Sequence, residues 1–226
     1  HMAQTFSIQR SPLQAWHQAR CDDWCQLGDT SLPRHFTESA SEMAAAAELA
    51  LCDLSGSPLV EIKGPSASLW LTTHDLPIPQ KIYDVTRLDE RAWILRTGGD
   101  EFLLRGLPGA TIAESTPHLP PAGFHDRILT THRQDALLLL SGSRLAELMS
   151  QTCALDFNQL ETDRVYLSRV ATVNCGLMKD RLGTCPVCWL WVDPSYSLDL
   201  WSQLVQIVDE LGGQVIGAGC FYPELG

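Results

Sequence analysis

Four leucines in a row, Leu137–Leu140, stand before the breaker Ser141-Gly142, and the residues that follow switch to helical spacing: Leu145, Leu148 and Met149. A run of four is too short for a buried helix and reads as a strand. Ser143 is placed to cap the helix that follows. The same order occurs upstream, where Val60 and Ile62 alternate, Gly64-Pro65 breaks the strand, and Leu69-Trp70 continue on a helix. With Gly64 aligned to Gly142, Leu69-Trp70 fall within one residue of Leu148-Met149, and Leu76 near Leu155. A repeat about 80 residues long exceeds any solenoid period, so the pattern predicts two related α+β halves packed about a pseudo-twofold axis.

The rest of the pattern fills in around this repeat. A short helix is predicted around Pro12 to Cys25, in a leader that carries Trp16 and Trp24 on a polar background. Glu42 to Leu51, EMAAAAELAL, has the composition of a strong helix. RAWILR and EFLLR set apolar residues between arginines and read as two strands joined by the turn TGGDE. Residues 106–123 contain four prolines and no periodicity, which predicts a loop and the boundary between halves. Strands are expected at Ile128 to Arg133, Tyr166 to Val173 and Cys188 to Val192. Asp193-Pro194-Ser195 then opens a helix whose stripe is Leu198, Trp201, Leu204, Val205 and Val208; Gly212-Gly213 ends it, and Val215-Ile216 begins a last strand. The organisation this implies is a leader over 1–35, a first half over 36–110 and a second over 111–226.

A chain of 226 residues with 45% hydrophobic and 19% charged residues buries a real core. The formal net charge of −11, with no basic cluster to offset it, argues against a nucleic-acid partner. No apolar run approaches the roughly 20 residues of a membrane span, and a basic-then-apolar leader is absent; a cytoplasmic protein is the expectation. In a reducing compartment most of the eight cysteines act as small apolar side chains, and Cys52, Cys153, Cys175 and Cys220 have the apolar neighbours for it.

Two cysteine pairs offer different chemistry. Cys185-Pro186-Val187-Cys188 is a C-x-x-C, and Cys21 and Cys25 fall four apart on the predicted leader helix; together they make a candidate four-thiolate metal site. Against that, Cys188 runs on into a buried strand pattern. His74 beside Asp75 and His132 beside Arg133 occupy related places in the two halves and suit polar surface roles. The chain has no G-x-S-x-G, Walker loop, G-x-G-x-x-G or H-E-x-x-H, and Gly98-Gly99-Asp100 is a hairpin turn with no lysine or helix behind it. Among the tryptophans, Trp70, Trp189, Trp191 and Trp201 occupy core-like positions, whereas Trp16, Trp24 and Trp93 are free to anchor an interface.

With these motifs in order, LCDLSGSPLVEIKGPSASLWL resembles the first half of the aminomethyltransferase (glycine-cleavage T-protein) superfamily. LLLSGSRLAELMSQTCALDF with VYLSRVATV resembles more closely the gamma subunit of heterotetrameric sarcosine oxidases, and the tail WLWVDPSYSLDLWSQLVQIVDELGGQVIGAG suits both. The resemblance implies an α+β, T-protein-like folate-binding fold of two pseudo-symmetric halves without the C-terminal barrel. It also implies that the family's acidic pair falls at Asp89-Glu90, here without the preceding glycines and with Arg91 next in line. The family's pterin-holding glutamate has no match in NCGLMKDRLGTCPVC. The reading that follows is a non-catalytic subunit, with no cofactor of its own, among flavoprotein partners that carry flavin and tetrahydrofolate. The alternatives are a free-standing folate-dependent one-carbon protein using Asp89 or Glu90, and a metal- or redox-linked accessory protein using Cys21, Cys25, Cys185 and Cys188.

Overall fold

The computed structural model describes residues 9–27, 30–89, 91–107 and 122–225. Among these, one six-stranded sheet contains β5 (Leu59–Lys63), β6 (Val85–Arg87), β7 (Ala92–Gly98), β8 (Glu101–Gly106), β9 (Gly123–His125) and β10 (Ile128–His132), in the order β6-β7-β8-β5-β10-β9. The other contains β4 (Ala50–Asp53), β11 (Ala136–Ser141), β12 (Val165–Val170), β13 (Val173–Leu182), β14 (Cys185–Val192) and β15 (Gln214–Ile216), in the order β12-β13-β14-β11-β4-β15. A small third sheet joins β1 (Gln9–Arg10), β2 (Asp23–Leu27) and β3 (Thr30–His35). The helices are α1 (Gln14–Gln18), α2 (Ser39–Glu48), α3 (Ala67–Thr73), α4 (Leu145–Thr152) and α5 (Pro194–Glu210).

The predicted duplication is present, and its halves exchange a strand. One unit runs β4-β5-α3-β6-β7-β8 and the other β10-β11-α4-β12-β13-β14. In both, the second strand pairs antiparallel with the fourth strand of the closing meander, as β5 with β8 and β11 with β14. The first strand of each unit crosses to the opposite sheet: β10 pairs with β5, and β4 with β11. Gly64 and Gly142 end the equivalent strands with φ of +130° and +114°. A Cβ at Gly64 would run into the Arg127 carbonyl, and one at Gly142 into the Glu48 backbone, each the residue leading into the crossing strand. Both glycines are therefore required by conformation and by backbone approach.

Burial explains the leucine run. Leu137 and Leu139 point into the layer between the two sheets, where they meet Leu95, Leu103 and Trp189. Leu138 and Leu140 point out, against Leu148, Met149, Trp201 and Leu204 of α4 and α5. A strand covered on both faces needs no polar alternation. On the far side, Val60, Ile62, Ile94, Phe102 and Leu104 pack under Ala67 and Leu71 of α3.

Several local expectations are corrected. The leader helix stops at Gln18, and Cys25 lies in β2, because residues 23–27 pair with β3. The alanine-rich helix ends at Glu48, since residues 50–53 are claimed by the sheet; tertiary pairing overrides propensity there. Ser143 does not cap α4: the amides of Ser143 and Arg144 donate instead to the carbonyls of Ala47 and Glu48 at the end of α2. The strand expected at Tyr166 to Val173 turns at Ala171, with φ +52°, and returns as the long β13. Leu69 is 65% exposed, and the buried partner of Met149 in the repeat is Leu71. Leu198 is exposed and Leu200 takes its place in the stripe; Trp93, 1% exposed, is core and anchors no interface. Most of the loop expected over 106–123 lies outside the described residues. No helix among the described residues is long and apolar enough to cross a membrane.

Candidate functional site

The strand exchange puts the end of β10 and the start of β11 where the two sheets meet, and Arg133 and Asp135 flank that crossing. Arg133 donates from Nε and Nη2 to the Asp135 carboxylate at 3.2 and 2.8 Å, and its Nη1 lies 3.6 Å from Glu61. Three hollows share Arg133. One of about 250 Å³ lies between the sheets, lined by Tyr83, Leu95, Thr97, Leu103, Val165, Leu167 and Trp191. A second, about 490 Å³, opens beside Asp135, Arg169 and Asn174. The third, about 240 Å³, lies against Ser11, Ser57 and His132.

Arg105 stands on the same face of β8 as Leu103, two residues on, and is 1% exposed. Its guanidinium lies over the Trp191 ring, 5.9 Å from the centroid, and Nε and Nη1 are buried without a hydrogen-bond partner. Burial pushes its pKa down to about 10, the field of Asp135 only partly opposing this. Trp93 faces it in register on β7; its ring is 6.0 Å from that of Trp191, and its indole N–H is also buried and unpartnered. The period-two pattern of EFLLR already places Arg105 on the face of Leu103, so its inward direction was legible in the sequence. Its isolation was not, because that depends on which strands cover it.

Of the expected acidic pair, only Asp89 lies among the described residues, and it does not line the hollow between the sheets. Asp89 is exposed in the turn before β7, where its carboxylate accepts from the Arg91 amide at 2.6 Å. Glu90 lies outside the described residues. The hollow between the sheets has no carboxylate in its lining, and Asp135, which lines the two neighbouring hollows, is engaged by Arg133. A pterin presents N–H donors that need such an acceptor, and the lining of this hollow supplies none, so the described residues do not fit a pterin.

Nor are the four candidate thiols brought together. Cys185 and Cys188, three apart on β14, emerge on opposite faces: Cys185 against the layer between the sheets and Cys188 in the layer under α4 and α5. Cys21 and Cys25 share no helical face, since only Cys25 sits on an element, the strand β2. Among the described residues no group of three or more His, Cys, Asp or Glu is arranged to hold a metal. Burial raises the thiol of Cys175 to about 12 and those of Cys52 and Cys188 well above the usual range, so these remain protonated and unreactive. Cys153 and Cys220 are half-buried, less enclosed than their apolar neighbours suggest. His74 and His132 are not related by the repeat: His74 caps α3, where its counterpart is Cys153 at the end of α4, and His132 ends β10.

One polar cluster escaped the sequence reading. Asp53, at the end of β4, accepts from Ser11 Oγ at 2.6 Å and meets His17 Nε2 at 2.7 Å on the same oxygen, while its other oxygen accepts from the Ser55 amide at 2.8 Å. His17 is fully buried among Trp16, Phe36 and Trp201. The cluster fastens the leader to the strand crossing. Glu42 does similar work at the start of α2, meeting His35 and accepting from the amides of Phe36 and Gly217.

A duplicated α+β unit with exchanged strands defines the T-protein class of folds, and this chain has that fold. Aminomethyltransferase T of the glycine cleavage system from Bartonella henselae superposes with a TM-score of 0.71 at 17% identity, over 95% of this chain and 61% of that one. A chain of heterotetrameric sarcosine oxidase from Corynebacterium sp. U-96 superposes with a TM-score of 0.61 at 15% identity, over 92% of this chain and 98% of that one. This chain thus spans less than two thirds of the aminomethyltransferase. No protein-family model matches the sequence, and no curated protein matches it.

Proposed function

We propose that this chain is a non-catalytic, T-protein-like subunit, similar to the gamma subunit of sarcosine oxidase, that assembles with flavoprotein partners oxidising N-methyl amino acids. The observation that carries this reading is the sarcosine oxidase match, which spans 92% of this chain and 98% of its counterpart. The chemistry of the site agrees with it. Asp89, where the resemblance puts the first residue of the family's acidic pair, is exposed and accepts from the Arg91 amide. In this reading flavin and tetrahydrofolate belong to the partner subunits, and this chain contributes surface. Leu167 on β12, with Tyr196 and Leu198 at the start of α5, supplies exposed large apolar side chains for that contact; they are 62%, 57% and 52% exposed.

The test is purification of the tagged full chain from the cells that produce it. The expected result is co-elution at fixed stoichiometry with a larger protein that has a flavin absorption spectrum, lost on Leu167→Asp substitution. A monomer free of any flavoprotein, under conditions that preserve complexes, would refute the proposal.

A further inference from the structure

We propose that the hollow between the two links that follow the exchanged strands, closed on one side by the leader, binds a small oxyanion of the phosphoryl class, held by the Arg10 guanidinium, the Thr30 hydroxyl and the Gly56 amide. The link from β4 to β5 lines it with Ser55 and Gly56, the link from β10 to β11 with Arg133 and Asp135, and the leader with Arg10 and Thr30; its room is about 240 Å³. Thr30 is 3% exposed, and its hydroxyl has no hydrogen-bond partner among the described residues. Ser55 Oγ accepts from the Leu137 amide at 3.1 Å, and its own proton has no acceptor among the described residues. The Gly56 amide is likewise without one. A Cβ at Gly56 would lie 2.7 Å from Thr30 Oγ1, so the amide and the hydroxyl stand close together, and a side chain at this position would fill the space in front of the hydroxyl.

The balance of charge selects the ligand. Asp135 is the only acidic residue in the lining, and Arg133 holds it with two nitrogens. Arg10 is exposed at the rim with no ion-pair partner among the described residues. The unspent groups are thus a permanent cation and three neutral donors, and their complement is an anion rich in acceptors. These groups come from β1, β3 and the link after β4. A planar carboxylate offers them two oxygens, whereas a tetrahedral phosphoryl group offers three and suits donors supplied by separate elements. The room lies below the roughly 300 Å³ at which pockets for larger ligands begin, so the body attached to the phosphoryl group is short or absent. Leu167, Tyr196 and Leu198, the apolar side chains offered to a partner subunit, do not line this hollow, and the proposal stands apart from the assembly reading.

Inorganic phosphate and glycerol 3-phosphate are the probes, each titrated into the full chain at constant ionic strength with chloride as the exchanged anion. Binding is read from the amide resonance of Gly56 in nitrogen-labelled protein, and from the melting temperature, which rises with the concentration of any ligand that binds the folded state. The expected result is a saturable shift of the Gly56 resonance with at least one probe, with an affinity at least tenfold weaker in Arg10→Gln, an exposed position that leaves the fold intact, and in Thr30→Val, which keeps the shape and removes the hydroxyl. Tighter binding of glycerol 3-phosphate identifies the ligand as a small phosphorylated metabolite; equal or tighter binding of inorganic phosphate identifies it as the free ion. No saturable shift with either probe, the same shift when chloride alone is raised, or wild-type affinity in either variant would each overturn the proposal.

Discussion

Replacing Arg105 with methionine should stabilise the free protein, although it removes a fully buried side chain. Burial is the chief cause that pushes the guanidinium down from its ordinary value to about 10, which corresponds to about 3 kcal/mol of unfavourable desolvation of the charged form in the folded state. Methionine keeps much of the stem but leaves space beside Trp191, and the lost contacts cost about 1 kcal/mol. The net gain is about 2 kcal/mol, or about 4–8 °C in melting temperature for a chain of this size. The sign with pH follows from the depressed pKa. Below about pH 10 the cation is charged in both states and the folded form bears the whole penalty; above about pH 10, up to the ordinary arginine value, the folded form sheds its proton first, the unfolded form binds more protons, and stability rises. The advantage of the variant should therefore be full at neutral pH and shrink above about pH 10. Urea unfolding followed by tryptophan fluorescence, at pH 7 and again at alkaline pH, measures both effects. A variant at least about 1 kcal/mol less stable than wild type at pH 7 would show that the folded protein compensates this charge, and would refute the reasoning.

The remaining predictions concern how the halves and the leader are held. Asp53→Ala leaves His17 and Ser11 without their buried acceptor, and should cost about 2–6 kcal/mol at roughly one to three per orphaned group; limited proteolysis should then cut within the leader before the sheets unfold. Gly64→Ala and Gly142→Ala should each destabilise by at least about 2 kcal/mol, since both combine positive φ with a backbone collision, and similar unfolding midpoints for the two would match their equivalence in the repeat. Alkylation by iodoacetamide at pH 8, mapped by mass spectrometry, should spare Cys52, Cys175 and Cys188 until urea unfolds the chain, because burial raises all three thiols.

How much of this was readable in advance varies with the kind of signal. The duplication showed in the spacing of Gly64 and Gly142, because a positive φ against a neighbouring backbone admits little but glycine. The helix of residues 194–210 showed as well: Asp193 accepts from the Ser195 amide, as its position before Pro194 suggests, and the apolar stripe follows. The long β13 did not show. NCGLMKDRLG mixes polar residues into a strand that lies inside a sheet, and Asp180 is tolerated there only because Arg87 and Trp189 both donate to it, at 2.7 and 3.0 Å. The leader misled in the opposite sense: Cys21 and Cys25 have helical spacing, yet β3 captures residues 23–27.

The order of strands, helices and glycines along the chain, together with its resemblance to T-proteins, determined the architecture, because local periodicity and turn geometry act over a few residues and are written there directly. Which side chains share a site was decided by the tertiary structure alone. The packing of the two sheets brings Trp191 onto Arg105 and Trp93 from a distant segment, and the leader's path joins Asp53 to His17. Charge isolation and thiol burial arise from long-range packing, and no short window of sequence contains both partners.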